Sequence, residues 1–271
     1  MAIEITQRPV GIFDSGIGGL TVAQALTNVL PQERLIYFGD TAHLPYGDKS
    51  TAAIQAYAVK ICDLLIKQHC KVILIACNSA SAAAYELVKE YVGSKAKVLN
   101  VIDPIVNYIA ETYPGKTIGL IGTKQTVGTN VYRKKVDALN LDIELKSLAT
   151  PLLAAMIEEV FFNDSISESV IHAYLSDSEL EGIEALILGC THYPLIKKQI
   201  EKFYEGQVDV LDASQIVARH VKAYLEDHNL ASEKLAGDHK FYVSDFTRSF
   251  EESTRIFFKR EVHLEHYPLW E

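Results

Sequence analysis

Residues 72–81 read VILIACNSAS, and residues 185–194 read ALILGCTHYP. In both stretches a short apolar run ends in a cysteine and continues into small polar residues. Such runs are typical of strands buried in a parallel sheet, and the polar residues after them predict the start of a helix. The sequence therefore predicts two equivalent strand-cysteine-helix units. Cys77 and Cys190 would lie at the carboxyl edges of their sheets, where ligands bind in such folds.

The two units belong to a longer internal repeat. Sliding the sequence against itself by about 110 residues aligns VGIFDSGIGGLTV at 10–22 with TIGLIGTKQTVGT at 117–129. Other apolar runs alternate with helix-like amphipathic stretches, and they are RLIYFGD at 34–40, KVLNVID at 97–103, VDVLDA at 208–213 and KFYVSD at 240–245. This rhythm predicts a parallel α/β architecture of two similar halves, whose half-sites would face each other across one pocket.

Two helix starts are marked by capping residues. Ser50 and Thr51 precede a stretch whose apolar residues, from Ile54 onwards, recur at spacings near three and four. Thr150 followed by Pro151 fits an N-cap and a first-turn proline. No Pro, Gly or Ser-rich linker interrupts the chain, so any division into domains must follow the repeat.

The composition limits the classes of partner. Of the 271 residues 48% are apolar, which is enough for one large domain or two medium ones. The 35 acidic residues exceed the 26 basic ones, and the resulting net charge of -9 repels a polyphosphate backbone. No apolar run approaches the ~20 residues of a membrane-spanning helix, and the N-terminus lacks a charged and apolar leader. We expect a cytoplasmic protein with no direct nucleic-acid partner and no membrane contact.

The four cysteines are expected to be free thiols, because they lack the dense, even spacing of a secreted disulfide scaffold. Cys77 taken alone fits a small core position, but Cys190 repeats its setting. A strand end that leads into a helix N-terminus lowers the pKa of a thiol and exposes its sulfur. Cys62 and Cys70 lack this setting and are interpreted as structural.

Two further residues are candidates for chemistry. Asp14 leaves the first apolar run into the turn SGIGG, whose glycines allow close approach to a ligand, although a plain N-cap is the alternative. The glycine spacing matches neither a phosphate loop nor a dinucleotide fingerprint, which disfavours nucleotides. His192 stands two residues after Cys190 and is a candidate acid-base partner for it. Cys77, Cys190 and His192 would supply three zinc ligands, but no close Cys or His pair accompanies them, so we expect no metal.

Four segments, DSGIGGLTV, GDTAHLPYGDKS, ACNSASA and GCTHYPL, follow one another within residues 14–195. In this order and spacing they resemble the signature segments of the glutamate racemase family. The resemblance implies reversible interconversion of L- and D-glutamate without pyridoxal phosphate or another cofactor, supplying D-glutamate for peptidoglycan. It also implies two similar, doubly wound, mostly parallel-sheet domains related by a pseudo-twofold, with the active site in the cleft between them. The inserted second domain would be residues 100–210, and the first domain residues 1–99 and 211–271.

The resemblance implies that five residues carry the chemistry, namely Cys77, Cys190, Asp14, His192 and Glu158. Cys77 would act on the D enantiomer and Cys190 on the L enantiomer. Asp14 would assist Cys77, while His192 and Glu158 would assist Cys190. The segment around Glu158 reads AAMIEEV where the family usually has VPLVEE, so the neighbouring Glu159 is the alternative.

The substrate-binding positions implied by the resemblance surround these groups. They are Asp14, Ser15, Tyr46, Gly47, Asn78, Ser79, Thr123, Thr126, Thr191 and His192. Ser79 stands where the family usually has threonine, which keeps the hydroxyl and loses a methyl group. The rival hypothesis is a racemase of the same fold that acts on aspartate or another amino acid. Family members commonly form homodimers, and some inhibit DNA gyrase by a protein contact, for which this sequence gives no specific support.

Overall fold

Strands and helices alternate along most of the described chain. The computed structural model describes residues 4–234 and 237–271. The strands among them are β1 (Val10–Asp14), β2 (Leu35–Gly39), β3 (Val72–Ile75), β4 (Lys97–Asn100), β5 (Thr117–Gly122), β6 (Glu144–Ala149), β7 (Ala185–Gly189), β8 (Asp209–Leu211), β9 (Lys240–Val243) and β10 (Glu265–His266). The helices are α1 (Leu20–Val29), α2 (Thr51–Lys67), α3 (Asn78–Val92), α4 (Ile102–Thr112), α5 (Lys124–Gly128), α6 (Val131–Asp137), α7 (Pro151–Glu158), α8 (Ser165–Leu175), α9 (Lys197–Tyr204), α10 (Ala213–Asp227) and α11 (Arg248–Phe257).

The strands form two sheets, in the orders β10-β9-β2-β1-β3-β4 and β6-β5-β7-β8. All described strand pairs are parallel. The order β2-β1-β3-β4 of the first sheet recurs as β6-β5-β7-β8 in the second. The predicted parallel α/β architecture with an internal repeat is therefore confirmed. The pseudo-twofold axis and the domain boundaries near residues 100 and 210 stay predictions.

All eight apolar runs quoted above form strands, and the sequence analysis missed β6 and β10. β6 (ELKSLA) mixes polar and apolar residues because it lies at the edge of its sheet, and Leu145 is its one fully buried residue. β10 contains only two residues, both exposed, and pairs with β9 alone. Neither strand needs the continuous apolar run that marks a strand covered on both faces.

The two marked helix starts lie where they were predicted. Ser50 caps α2, because its hydroxyl accepts a hydrogen bond from the amide of Ala53 at 3.3 Å. Thr150 precedes Pro151 at the start of α7, but its side chain caps nothing. The Thr150 hydroxyl lies instead 2.7 Å from the hydroxyl of Tyr193, so Thr150 is the predicted N-cap residue but makes no side-chain capping bond.

The sheets share one apolar core. Its largest cluster contains residues of both, such as Ile12 of β1 and Leu188 of β7. A second cluster covers the other face of the first sheet and includes Cys62 and Cys70, which are buried as the structural interpretation requires. Burial raises the pKa of the Cys70 thiol to about 12 and also raises that of Cys62, so neither sulfur is a ready nucleophile. No helix among the described residues is long and apolar enough to cross a bilayer.

The topology places the site. In each sheet the chain changes direction next to its first strand, since β1 lies between β2 and β3, and β5 lies between β6 and β7. Ligands of open α/β sheets bind at the carboxyl ends of strands at such a switch point. Asp14 and Cys77 stand there in the first sheet, and Thr123 and Cys190 in the second.

Candidate active site

Cys77 is the N-cap residue of α3, immediately beyond β3. Its sulfur accepts a hydrogen bond from the amide of Ala80 at 3.4 Å, and its thiol donates to the hydroxyl of Ser15 at 3.7 Å. Burial and the charge of Asp14 nevertheless raise the pKa of Cys77 to about 12, although the amide and the hydroxyl act to lower it. The expected exposed thiol of lowered pKa was wrong, because desolvation outweighs the helix N-terminus.

Cys190 follows β7, and it is also buried. Its sulfur lies 3.5 Å from Nδ1 of His192. The predicted helix does not begin directly after it, because Thr191 and His192 form a turn and a short 3-10 segment, Tyr193–Ile196, precedes α9. That turn places the imidazole of His192 beside the Cys190 sulfur.

His192 joins Cys190 to a carboxylate of α7. Its Nε2 lies 2.9 Å from Oε1 of Glu158, and its ring packs edge-on against Phe257 of α11 at 5.4 Å. Burial acts to lower the pKa of His192, but the Cys190 sulfur and the Glu158 carboxylate together raise it well above its usual value. Glu159, the alternative, is exposed, so Glu158 is the carboxylate that reaches this site. The imidazole can therefore hold a proton between sulfur and carboxylate.

Asp14 is fully buried beneath the glycine turn that follows β1. Its Oδ2 accepts hydrogen bonds from the amides of Gly16 at 3.1 Å and Gly19 at 3.0 Å. Gly19, not Asp14, is the N-cap residue of α1, so the plain N-cap interpretation of Asp14 does not hold. Burial raises the pKa of Asp14, against the lowering effects of His192 and the two amides. Among the described residues no hydrogen bond joins Asp14 to Cys77; the two interact through their charges.

This burial predicts a stability cost that depends on pH. Burial raises the pKa of Asp14 in the folded protein above the ~3.9 of the unfolded chain, so the folded protein binds the proton more tightly. The stability that this provides is fully present below pH ~3.9 and is lost as the pH rises through the pKa of the folded protein. We therefore expect Asp14→Asn to unfold at a higher temperature than the wild type at about pH 8, with the difference shrinking towards about pH 4. Thermal unfolding across this range measures it. A variant whose advantage grows as the pH falls would contradict the assignment.

Hydroxyl groups that follow strands of both sheets meet in the site. Ser79 Oγ lies 2.8 Å from Thr123 Oγ1 and 3.3 Å from Thr126 Oγ1. Thr123 also caps α5 by accepting from the amide of Thr126 at 3.1 Å. Beside them Asn78 Oδ1 accepts from the hydroxyl of Tyr132 at 2.8 Å. These groups offer hydrogen bonds that an amino acid's carboxylates can exchange for the present ones.

Both cysteines line one narrow cavity. Its lining is Ser15, Pro45, Tyr46, Gly47, Cys77, Asn78, Ser79, Thr123, Ala154, Glu158, Gly189, Cys190, Thr191 and His192. Eleven of the thirteen predicted site residues are among these; Asp14 and Thr126 lie behind the wall. The space open to the centres of water molecules is about 30 Å³, enough for about two waters. Within residues 4–234 and 237–271 no cluster of His, Cys, Asp or Glu has the arrangement of a metal site.

The sequence analysis missed the residues that hold the site from behind. Tyr37 donates its hydroxyl to the carbonyl of Gly16 at 2.8 Å, which fixes the glycine turn. Thr21 of α1 donates to the carbonyl of Thr191 at 3.0 Å and so ties the first sheet's turn to the second cysteine loop. Tyr37, Thr21 and Tyr132 each act through one hydroxyl on a buried strand or helix, which no sequence motif marks. Only the apolar setting of Tyr37 in a strand hinted that its hydroxyl needs a buried partner.

The profile of the family described as Asp/Glu/Hydantoin racemase matches residues 20–221. A glutamate racemase of Chlorobaculum parvum is 39% identical over 255 residues, which are 94% of this chain and 93% of that protein.

Solved structures agree with this similarity. A glutamate racemase of Francisella tularensis in complex with D-glutamate is 39% identical, with a TM-score of 0.91 over 98% of this chain and 99% of that one. A glutamate racemase of Thermus thermophilus in complex with β-chloro-D-alanine is 35% identical, with a TM-score of 0.85 over 97% of each chain.

Proposed function

The chain belongs to the Asp/Glu/hydantoin racemase family, and from this premise we propose that it is a glutamate racemase that inverts the α-carbon with two cysteines. The observation that carries the proposal is that Cys77 and Cys190, from equivalent strand ends of two sheets, line the same narrow cavity. The similarity to glutamate racemases selects glutamate over aspartate as the substrate.

Inversion requires that a proton leave one face of the α-carbon and another arrive on the opposite face. A single immobile base cannot easily serve both faces, whereas two opposed thiols can. With D-glutamate, the Cys77 thiolate takes the α-proton while the Cys190 thiol gives its proton to the other face. L-glutamate then leaves a Cys77 thiol and a Cys190 thiolate, and the reverse direction exchanges these roles.

The surroundings of the two sulfurs support a proton supply on each side. His192 lies 3.5 Å from Cys190 and, through Glu158, can hold or return a proton at that sulfur. On the other side burial raises the pKa of Asp14 and of Cys77, and the charge of Asp14 adds to the rise at Cys77, so a proton on Asp14 would favour the Cys77 thiolate. Asp14 would assist Cys77 in this way without touching it.

The two acid-base groups supply only part of the rate enhancement that racemisation needs. Each is worth roughly 10² to 10⁴, or ~3 to 5 kcal/mol, so electrostatic stabilisation of the carbanion-like transition state must supply more. Asn78 and Ser79 open the first turn of α3, and Thr191 follows the second cysteine. These groups would hold the α-carboxylate as its electron density rises. Ser15, Tyr46, Gly47, Thr123 and Thr126 would complete the substrate contacts.

The cavity is narrow for an amino acid, with about 30 Å³ open to the centres of water molecules. We propose that the walls contributed by the two sheets separate to admit glutamate. Closure around the substrate would then exclude water and strengthen each electrostatic contact. We also propose, on the family resemblance, that the protein acts in the cytoplasm as a homodimer and supplies D-glutamate for peptidoglycan.

Circular dichroism of the purified protein with D-glutamate, without added cofactor, tests the reaction. We expect the signal to decay to zero, the racemic end point. In heavy water, deuterium should enter Cα predominantly in the product enantiomer, because each face has its own base. Equal early labelling of both enantiomers would indicate one base. Parallel assays with L-aspartate and D-aspartate test the substrate, and faster turnover of aspartate would overturn the glutamate assignment.

A further inference from the structure

Asp40, immediately beyond β2, is a fully buried carboxylate that four side chains contact. The donors are Nδ1 of His43 at 3.0 Å, the hydroxyl of Tyr46 at 2.6 Å, the hydroxyl of Ser244 at 2.8 Å and the indole Nε1 of Trp270 at 2.7 Å. They come from three separate parts of the chain: the loop after β2, the loop after β9 and the C-terminal tail.

This carboxylate is one hydrogen bond away from the active-site cavity. Tyr46, whose hydroxyl it accepts, lines the cavity together with Gly47. Gly47 in turn lies against the second sheet, because a Cβ atom built there would stand 2.9 Å from Cβ of Thr123. The backbone amide of Asp40 also donates to the carbonyl of Asp14 at 3.0 Å. A displaced Asp40 would therefore move the wall of the cavity.

The tail is fastened to this loop by aromatic packing. The indole of Trp270 packs edge-on against His43 at 4.5 Å and Tyr57 at 5.5 Å, and the ammonium of Lys60 lies 4.7 Å above it. Tyr267 of the same tail packs on Phe38 of β2 at 6.4 Å. These contacts hold the indole N–H against Asp40 although Trp270 is itself only partly buried.

The donors at Asp40 are mostly neutral. No Lys or Arg among the described residues forms an ion pair with this carboxylate; of the four donors only His43 can carry a positive charge, and its side chain is 26% exposed. A buried carboxylate without a cationic partner depends on each hydrogen bond it accepts, and hydrogen bonds to charged groups are the strong ones. Without the indole N–H of Trp270, Oδ1 of Asp40 would have to accept from one of the remaining donors or from a water molecule.

We propose that Trp270 is a positioning residue for substrate binding, acting through Asp40 on Tyr46 and Gly47. This inference rests on the proposed function of the cavity. The C-terminal tail holds the substrate-binding loop in the conformation that meets Thr123 across the cavity. Because Trp270 touches neither sulfur, its loss should weaken substrate binding and leave proton transfer nearly intact.

The test compares Trp270→Phe, which keeps an aromatic ring and loses the N–H donor, with Tyr267→Phe as a control in the same tail. We expect Trp270→Phe to raise KM for D-glutamate about tenfold and to change kcat less than about threefold. Tyr267→Phe should match the wild type. Unchanged KM in Trp270→Phe, or a fall in kcat with constant KM, would overturn the proposal.

Should Trp270→Phe fail to fold, Ser244→Ala removes another donor to the same oxygen of Asp40 and should raise KM likewise. Unchanged KM in Ser244→Ala would overturn the proposal.

Calorimetric titration with D-glutamate separates this proposal from the proposed function, because binding needs no turnover. Wild-type protein that binds D-glutamate without racemising it would contradict the reaction alone, and the affinity ratio between wild type and Trp270→Phe would still decide the role of Trp270. We expect that ratio to be about ten. Equal affinities would overturn the role of Trp270, and absence of binding to the wild type would overturn both proposals.

Discussion

Replacement of either active-site cysteine by alanine is expected to abolish racemisation. Cys77→Ala removes the acid-base group of one face and Cys190→Ala that of the other, and inversion needs both in each turnover. One positioned acid or base is worth roughly 10² to 10⁴ in rate. When two groups act as a unit, removing one of them costs nearly as much rate as removing both. We therefore expect kcat/KM to fall by at least about 10⁴ in each variant, in both directions.

Two other cysteine variants sharpen this test. Cys77→Ser and Cys190→Ser should retain only a small residue of activity, since a hydroxyl ionises far less readily than a thiol. Cys62→Ala is the matched control, because Cys62 is buried in α2 away from the cavity. It should lower the unfolding temperature and keep kcat/KM. Circular-dichroism assays starting from each enantiomer measure all six proteins, wild type included. Full activity in either Ala variant would exclude the two-base mechanism.

A methyl group added at Gly18 is expected to cost about 10²-fold in kcat/KM. An ideal Cβ there would stand 2.4 Å from Cε1 and 2.6 Å from Nδ1 of His192, and 2.6 Å from Oγ1 of Thr191. The imidazole cannot easily yield, because Glu158 holds its Nε2 and Phe257 packs on its ring. Gly18→Ala must therefore displace His192 from Cys190, and a misplacement of about 1 Å costs on the order of 10² in rate.

Gly128→Ala is the control for the added methyl group. Gly128 ends α5, and a Cβ atom built there meets no heavy atom within 4 Å. This variant should keep wild-type kcat/KM. Steady-state kinetics and thermal unfolding of both variants distinguish a displaced imidazole from a general loss of stability. Gly18→Ala with unchanged kcat/KM would mean that His192 does not assist Cys190.

The internal repeat also predicts β6, the strand that the apolar runs do not reveal. β2 and β6 occupy equivalent places in the two sheets, so shifting β2 by the repeat offset points to the strand that was missed. β6 carries few apolar residues because it lies at an edge, and only the repeat signals it. Glu158 was similarly uncertain from its atypical segment, until its 2.9 Å contact with His192 distinguished it from Glu159.

The sequence by itself determined the alternation of strands and helices, the repeat and the two cysteines at equivalent strand ends, because apolar periodicity and local motifs are properties of neighbouring residues. Only the tertiary structure decided how acidic the Cys77 thiol is. Burial depends on what the rest of the chain packs over a group, and at Cys77 it reverses the effect expected from the helix N-terminus alone. The same holds for Asp40, whose donors at Tyr46 and Trp270 are separated by most of the chain and meet only in the fold.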